Sequence, residues 1–174
     1  MLLPYFEQFE GNGPALLLVH GFLSSRAQWL ANLDALRQVC SPVVIELFGH
    51  GRAASPTDSA CYQPDYYVAA FDLIRQQLGI ESWSVLGYSL GAALTLRYSL
   101  THPGHTHAQV FTNSTSAFAE PAVTAHFRKN AQQLIRQYET GGLDAINAIA
   151  VHPRHAKRIP EPWKAQLLAD CQQL

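Results

Sequence analysis

Gly87-Tyr88-Ser89-Leu90-Gly91 sets a serine between two glycines in the pattern G-x-S-x-G. The residues before it, Trp83-Ser84-Val85-Leu86, are a short run of strand formers. Those after it, Ala92 to Tyr98, favour a helix, with Leu94 and Tyr98 at i, i+4 spacing. A strand that turns tightly into a helix forces the middle residue into a strained backbone conformation and lifts its hydroxyl clear of the sheet. Glycines suit such a turn, because bulkier side chains would collide where helix and strand approach. The chemistry this points to is nucleophilic attack by the Ser89 hydroxyl. The blander reading is a chance match on an ordinary turn, and the flanking elements weigh against it.

A serine hydroxyl is a poor nucleophile without an adjacent base, so the eight histidines matter next. His20 ends an early apolar run in Leu16-Leu17-Leu18-Val19-His20-Gly21-Phe22, and His50 sits in the turn Gly49-His50-Gly51. His102, His105 and His107 crowd one turn and raise the question of a metal site. Their place at a helix terminus, without nearby carboxylates, favours solvated loop histidines. No metal and no cofactor is expected. His152-Pro153-Arg154-His155-Ala156-Lys157-Arg158 is a short basic cluster that reads as a solvated helix end.

The elements that must position these groups alternate. Pro4 to Phe9 reads as an edge strand and Ala15 to Val19 as a strand covered on both faces. Arg26 to Gln38 carries Trp29, Leu30, Leu33 and Leu36 at helical spacing. Pro42 to Glu46 is the next buried strand, and Gln63 to Leu78 a second helix with Pro64 in its first turn. After the serine turn and its helix, Ala108 to Thr112 forms a further strand. Strands alternating with helices indicate βαβ units and a mainly parallel, doubly wound α/β sheet. From Glu120 the character changes: His126 to Glu139, Leu143 to Ala150 and Trp163 to Leu174 look helical, with no strand between them. The expected division is a core over residues 1–118 and a helical lid over 119–174, laid across the strand ends where open α/β sheets bind ligands.

Composition narrows the classes. Of 174 residues, 48% are hydrophobic and 14% charged, which excludes a disordered chain or a solvated tail. A net charge of −1 gives no electrostatic reason to expect nucleic acid or an anionic membrane as partner. Cys40, Cys61 and Cys171 are widely spaced without a C-x-x-C pattern, which favours reduced thiols over a disulfide framework. No apolar run approaches the ~20 residues of a membrane span. The start of the chain lacks a basic region, so a cytoplasmic protein is expected.

Three blocks in order, Leu16 to Ser25 with its His-Gly pair, Glu46 to Ser55 with Gly49-His50-Gly51, and Gly87 to Gly91, resemble the α/β-hydrolase superfamily. The similarity spans about Leu16 to Thr112. It implies Ser89 as nucleophile and an oxyanion hole made by two backbone N–H groups, those of Leu90 and Phe22. It also implies that His20, Gly21, Tyr88 and Phe127 lie at the substrate. Neither His20 nor His50 is the family's catalytic histidine, and both are expected to shape loops. Two departures stand out. Glu46 occupies a position where relatives usually have Asp, a residue that orders a loop. The chain order in this fold is Ser, acid, His, yet no acid-bearing strand end or terminal Gly-His loop follows the lid-like helices. Asp144, Asp170, His152 and His155 belong to the lid region and are not expected in the triad, and Asn113-Ser114-Thr115-Ser116 stands where some relatives place the acid. The triad acid and histidine, and the last strands, are expected beyond residue 174, with the sheet left open beside Ala108–Thr112 for a C-terminal fragment or a second chain.

The resemblance implies a serine hydrolase of carboxylic esters or related acyl substrates, with a small-molecule substrate. Serine at the elbow argues against dehalogenase and epoxide hydrolase chemistry, which use Asp there. A second reading is a lyase similar to the pyruvate-eliminating synthase of the menaquinone pathway, although Ala93 replaces the Arg usual in that branch. A third is a degenerate hydrolase fold acting as a binding module. Phe127, Leu134, Tyr138 and Ile146 give the lid helices apolar stripes that either cover the Ser89 pocket or pack helix on helix.

Overall fold

The computed structural model describes residues 1–114 and 121–171 of the chain. Its five strands are β1 (Tyr5–Gln8), β2 (Ala15–Val19), β3 (Ser41–Glu46), β4 (Trp83–Tyr88) and β5 (Thr106–Thr112). They form one sheet in the order β1-β3-β2-β4-β5. β1 runs antiparallel to β3 at one edge, and the other pairings are parallel. This is the mainly parallel α/β sheet expected from the alternating pattern.

Helices cover both faces because the buried strands are apolar on both. Leu17, Val19, Val43, Ile45 and Val85 pack on one face against Phe71 and Ile74 of α2 (Pro64–Gln77) and Leu94 and Tyr98 of α3 (Leu90–Thr101). Leu16, Leu18 and Val44 point to the other face and meet Trp29 and Leu33 of α1 (Ala27–Arg37). The period of two along each strand thus sorts one apolar run into two cores. Each fully buried Leu, Ile, Val or Phe contributes about 1.5–3 kcal/mol of transfer free energy.

β5 departs from this pattern. It begins at Thr106, two residues before the expected Ala108, and most of it is exposed, including Val110 and Phe111. It pairs with β4 alone and ends the sheet.

Two further helices follow: α4 (Pro121–Ala148), interrupted at Gly142 with φ 57° and ψ −141°, and α5 (Trp163–Cys171). The break at Gly142 separates the two expected helical stretches, and glycine is the residue that reaches such a φ at no steric cost. Between Val123 and Asp144 every side chain except Leu134 is exposed. α5 differs: it packs against α1, with Leu167, Asp170 and Cys171 buried. Residues 119–120 and 172–174, at the ends of the expected lid, and Thr115 and Ser116 lie outside the described residues. Among the described residues no helix is long and apolar enough to cross a membrane.

Candidate functional site

The register of the sheet brings the three motif-bearing loops to one edge. Val19 pairs with Ile45 on one side and Gly87 on the other, and Tyr88 pairs with Thr112. The loops that begin at His20, Leu47, Ser89 and Asn113 therefore leave the sheet side by side, at the carboxyl ends of the strands.

Ser89 joins β4 to α3 at φ 52° and ψ −111°. A serine in this region costs on the order of 1–3 kcal/mol and persists only where its surroundings hold it. Its N–H donates to Thr112 O at 3.0 Å. The two glycines have steric reasons. A Cβ at Gly87 would strike Gly91 O, Thr95 Oγ1 and Ala92 Cα, and one at Gly91 would strike the carbonyls of Val19 and His20. Helix α3 therefore leaves β4 and crosses β2 at a distance only glycine permits.

Ser89 lines a cavity of about 620 Å³ together with Phe22, Leu23, Ser24, Gln28, Tyr88, Asn113 and residues between Val151 and Leu167. Leu23, Ser89 and Asn113 are the non-glycine residues with positive φ among the described residues, at 53°, 52° and 57°. All three line this one cavity, and such strain clusters at functional sites. Tyr88 Oη accepts a hydrogen bond from Asn113 Nδ2 at 2.7 Å.

The loop after β2 is tied down on all sides of Phe22. His20 is fully buried; its Nδ1–H donates to Gly21 O at 2.7 Å and its Nε2 accepts from Leu47 N–H at 3.0 Å. A carbonyl only accepts and an amide only donates, so these partners fix the tautomer. Burial pulls the His20 pKa down to about 3, keeping the ring neutral. His50 repeats the pattern, with Nδ1–H to Phe48 O at 3.0 Å and Leu23 N–H to Nε2 at 3.3 Å, and burial lowers its pKa also. Gly21 N–H donates to Gln28 Oε1 at 3.3 Å, which also accepts from Ser24 Oγ at 3.0 Å. Two residues of α5 complete the loop's ties: the buried Asp170 carboxylate accepts from Ser25 Oγ, and Cys171 Sγ–H donates to Leu23 O at 3.2 Å. Burial, together with the Asp170 charge, pushes the Cys171 thiol up to about 11, so it stays a donor.

Glu46 orders the neighbouring loop. Its buried carboxylate accepts from Arg26 N–H at 3.2 Å and Arg52 N–H at 3.0 Å, and it packs where a side chain at Gly51 would have to sit. The longer Glu fills a place next to a residue with no side chain, at φ 54°.

The residues expected at the substrate fall in different places. Tyr88 and Phe22 line the Ser89 cavity. His20 and Gly21 do not: both are buried, and Gly21 packs against Tyr88 and Ser89 with no room for a side chain. They shape the loop from below. Phe127 is exposed and lines neither this cavity nor its two neighbours. Leu90 and Phe22 share an adjoining apolar cavity of about 350 Å³ with Phe48, Tyr67 and Leu94. Of the expected lid stripe, Tyr138 and Ile146 line a small third cavity against Phe22 and His50, whereas Phe127 and Leu134 do not.

Among the described residues no histidine, aspartate or glutamate lines the Ser89 cavity. His102, His105 and His107 lie at the other end of α3. There His105 and His107 bond Glu81 O and Ser82 Oγ, while His102 stacks on Tyr98. Among the described residues no group of three potential ligands is placed to hold a metal ion. Sequence reasoning missed Gln28, Asn113, Asp170 and Arg158 as parts of the site. The i, i+4 pair Ser24 and Gln28 was a local signal; Asp170, 145 residues from Ser25, left none.

Residues 14–153 match the family model described as the alpha/beta hydrolase fold. A (lyso)-N-acylphosphatidylethanolamine lipase of Bos taurus is 33% identical over 90 residues, which are 51% of this chain and 26% of that protein. An epoxide hydrolase from an endophytic Streptomyces is 30% identical with a TM-score of 0.57, covering 61% of this chain and 32% of that one. MenH from S. aureus shares the fold at a TM-score of 0.79 and 20% identity, over 97% of this chain and 66% of that one. The chain spans 24–45% of the length of the first curated relatives it matches.

Proposed function

The chain belongs to the alpha/beta hydrolase fold family, and from that premise we propose that it is a serine hydrolase of carboxylic esters or related acyl substrates. The observation that carries this reading is the strained Ser89, set between strand and helix on a cavity that it shares with Phe22. In the proposed reaction Ser89 Oγ attacks the ester carbonyl carbon while a base removes its proton. The carbonyl oxygen becomes an oxyanion held by the N–H groups of Phe22 and Leu90. Collapse expels the alcohol, which takes up the proton, and water then releases the acid from Ser89.

Leu90 N–H is the first of helix α3 and has no carbonyl one turn back, so it is free to aim at an anion at the positive end of the helix. Each such donor contributes on the order of 3 kcal/mol to the transition state. Serine, where epoxide hydrolases carry Asp, separates this reading from epoxide opening. The histidine and carboxylate that activate Ser89 are proposed to lie beyond residue 174. Residues 119–174 act as the lid, closing the acyl pocket from above.

The test is p-nitrophenyl butyrate turnover by the 174-residue chain and by a chain extended with whatever its gene encodes after Leu174, each with its Ser89→Ala variant. The short chain is expected to turn over barely above background, and the extended chain at least about a thousandfold faster, with Ser89→Ala abolishing the gain. Fast turnover by the short chain, or turnover indifferent to Ser89, overturns the proposal.

A further inference from the structure

The basic cluster between His152 and Arg158 looks like a solvated helix end in the sequence, and the structure uses one member of it otherwise. Arg158 lines the Ser89 cavity, and it is the only charged side chain that does so among the described residues. Like Arg37, Arg128, Arg136 and Arg154 it makes no ion pair with any of them, unlike Arg26, Arg52, Arg75 and Arg97, and of these unpaired arginines it is the one at the cavity. The rest of the polar lining, Ser24, Gln28, Tyr88, Ser89 and Asn113, is neutral and rich in donors. Trp163, the first residue of helix α5, lines the same cavity with its flat apolar ring. A cavity with a cation and, among the described residues, no carboxylate disfavours a cationic ligand and leaves a neutral one without a partner for the guanidinium.

We propose that the Ser89 cavity takes ligands carrying an anionic oxygen group, a carboxylate or a phosphate, which Arg158 binds. The guanidinium fork matches either group through two parallel N–H···O bonds. Val151, Pro153, Ile159 and Pro160 line the same cavity and give the ligand's carbon skeleton an apolar surface. The inference deepens the hydrolase reading by naming a feature of the substrate, but it concerns binding and does not need Ser89 to react.

The test is calorimetric titration of the 174-residue chain, and of its Ser89→Ala variant, with three probes of matched body: 4-phenylbutyrate, 3-phenylpropyl phosphate and the neutral 4-phenylbutanamide. At least one anion is expected to bind about tenfold more tightly than the amide, as a partly solvated charge-assisted contact gives. Which anion binds more tightly separates the carboxylate from the phosphate form of the proposal. Arg158→Gln should remove the preference and leave amide binding unchanged, and Arg158→Lys should keep part of it. Arg158 is exposed, so these variants should melt with the parent chain. Equal binding of anions and amide, no binding of any probe, or a preference that survives Arg158→Gln overturns the inference. If ester turnover fails while this preference holds in Ser89→Ala, the catalytic reading alone is wrong.

Discussion

Residues 19–28 and residues 151–167 line the same cavity and are held in opposite ways. In the first, buried and half-buried hydrogen bonds surround Phe22: His20 on Leu47, His50 on Leu23, Gln28 on Gly21, Asp170 on Ser25. Close contacts, with the Tyr88 ring at Gly21 and with backbone carbonyls at Gly91, leave no room for a Cβ. In the second, Val151, Arg158 and Pro160 are exposed, while Pro153 and Leu167 anchor the stretch from beneath. A wall built from buried hydrogen bonds and backbone contacts has one geometry, because each unmade bond costs about 1–3 kcal/mol. The exposed members of the second wall can change residue by residue at little cost to the fold. Fixed placement suits the group that reacts, and replaceable lining suits the choice of what enters.

The difference can be broken most strongly with acid. His20 is neutral in the folded chain, with its pKa down at about 3, and takes a proton in the unfolded chain near its ordinary value of 6.5. Between those values the unfolded state binds the extra proton, so this contribution is intact above about pH 6.5 and is lost as the pH falls toward 3. The loss is on the order of 4 kcal/mol across that window. Urea midpoints at pH 7 and pH 4 should show it, and His20→Gln should flatten the slope. An unchanged slope would mean the loop does not depend on the neutral ring.

Next in size is Gly91→Ala. The new methyl would meet the carbonyls of Val19 and His20, which are backbone and have no rotamer to move into. A loss of about 3 kcal/mol is expected, at the upper end for overpacking, and a thermal melt reads it. Asp170→Ala should cost about 2 kcal/mol by stranding the buried Ser25 hydroxyl. Hydrogen exchange should then quicken at residues 22–27 more than in β3, which would place the effect in the loop. The smallest effect belongs to the exposed helix: Tyr138→Ala should change stability by about 0.5 kcal/mol or less. A loss as large as that of Asp170→Ala would show that α4 is as firmly anchored as the Phe22 loop, and the contrast would fail.

Much of the frame was legible in the chain. The apolar runs at Leu16–Val19 and Val43–Ile45 marked strands covered on both sides, and Trp29 and Leu33 marked the helix that covers one of them. The two glycines around Ser89 marked the tight passage from strand to helix. Element ends were less so: β5 starts at Thr106 because its pairing with β4 extends to Trp83, and pairing leaves no trace in composition. The lining of the site was the least legible. His20 was legible as a loop-shaping residue, but which atoms it holds, Gly21 O and Leu47 N–H, and its full burial were not. Phe127 looks like a lid residue by periodicity, but a stripe says which face of a helix is apolar and not what that face meets.

The sequence by itself determined the alternation of strands and helices, the two-faced core and the chemical type of the residue at the elbow. These follow from periods of two and 3.6 and from steric limits that act over a few residues. Only the tertiary structure decided that Leu23, Ser89 and Asn113 share their strain around one cavity, that Asp170 closes on Ser25, and that Arg158 faces the cavity. Those facts depend on strand register and helix docking between segments far apart in the chain, where burial and hydrogen-bond satisfaction choose among placements that local spacing leaves equal.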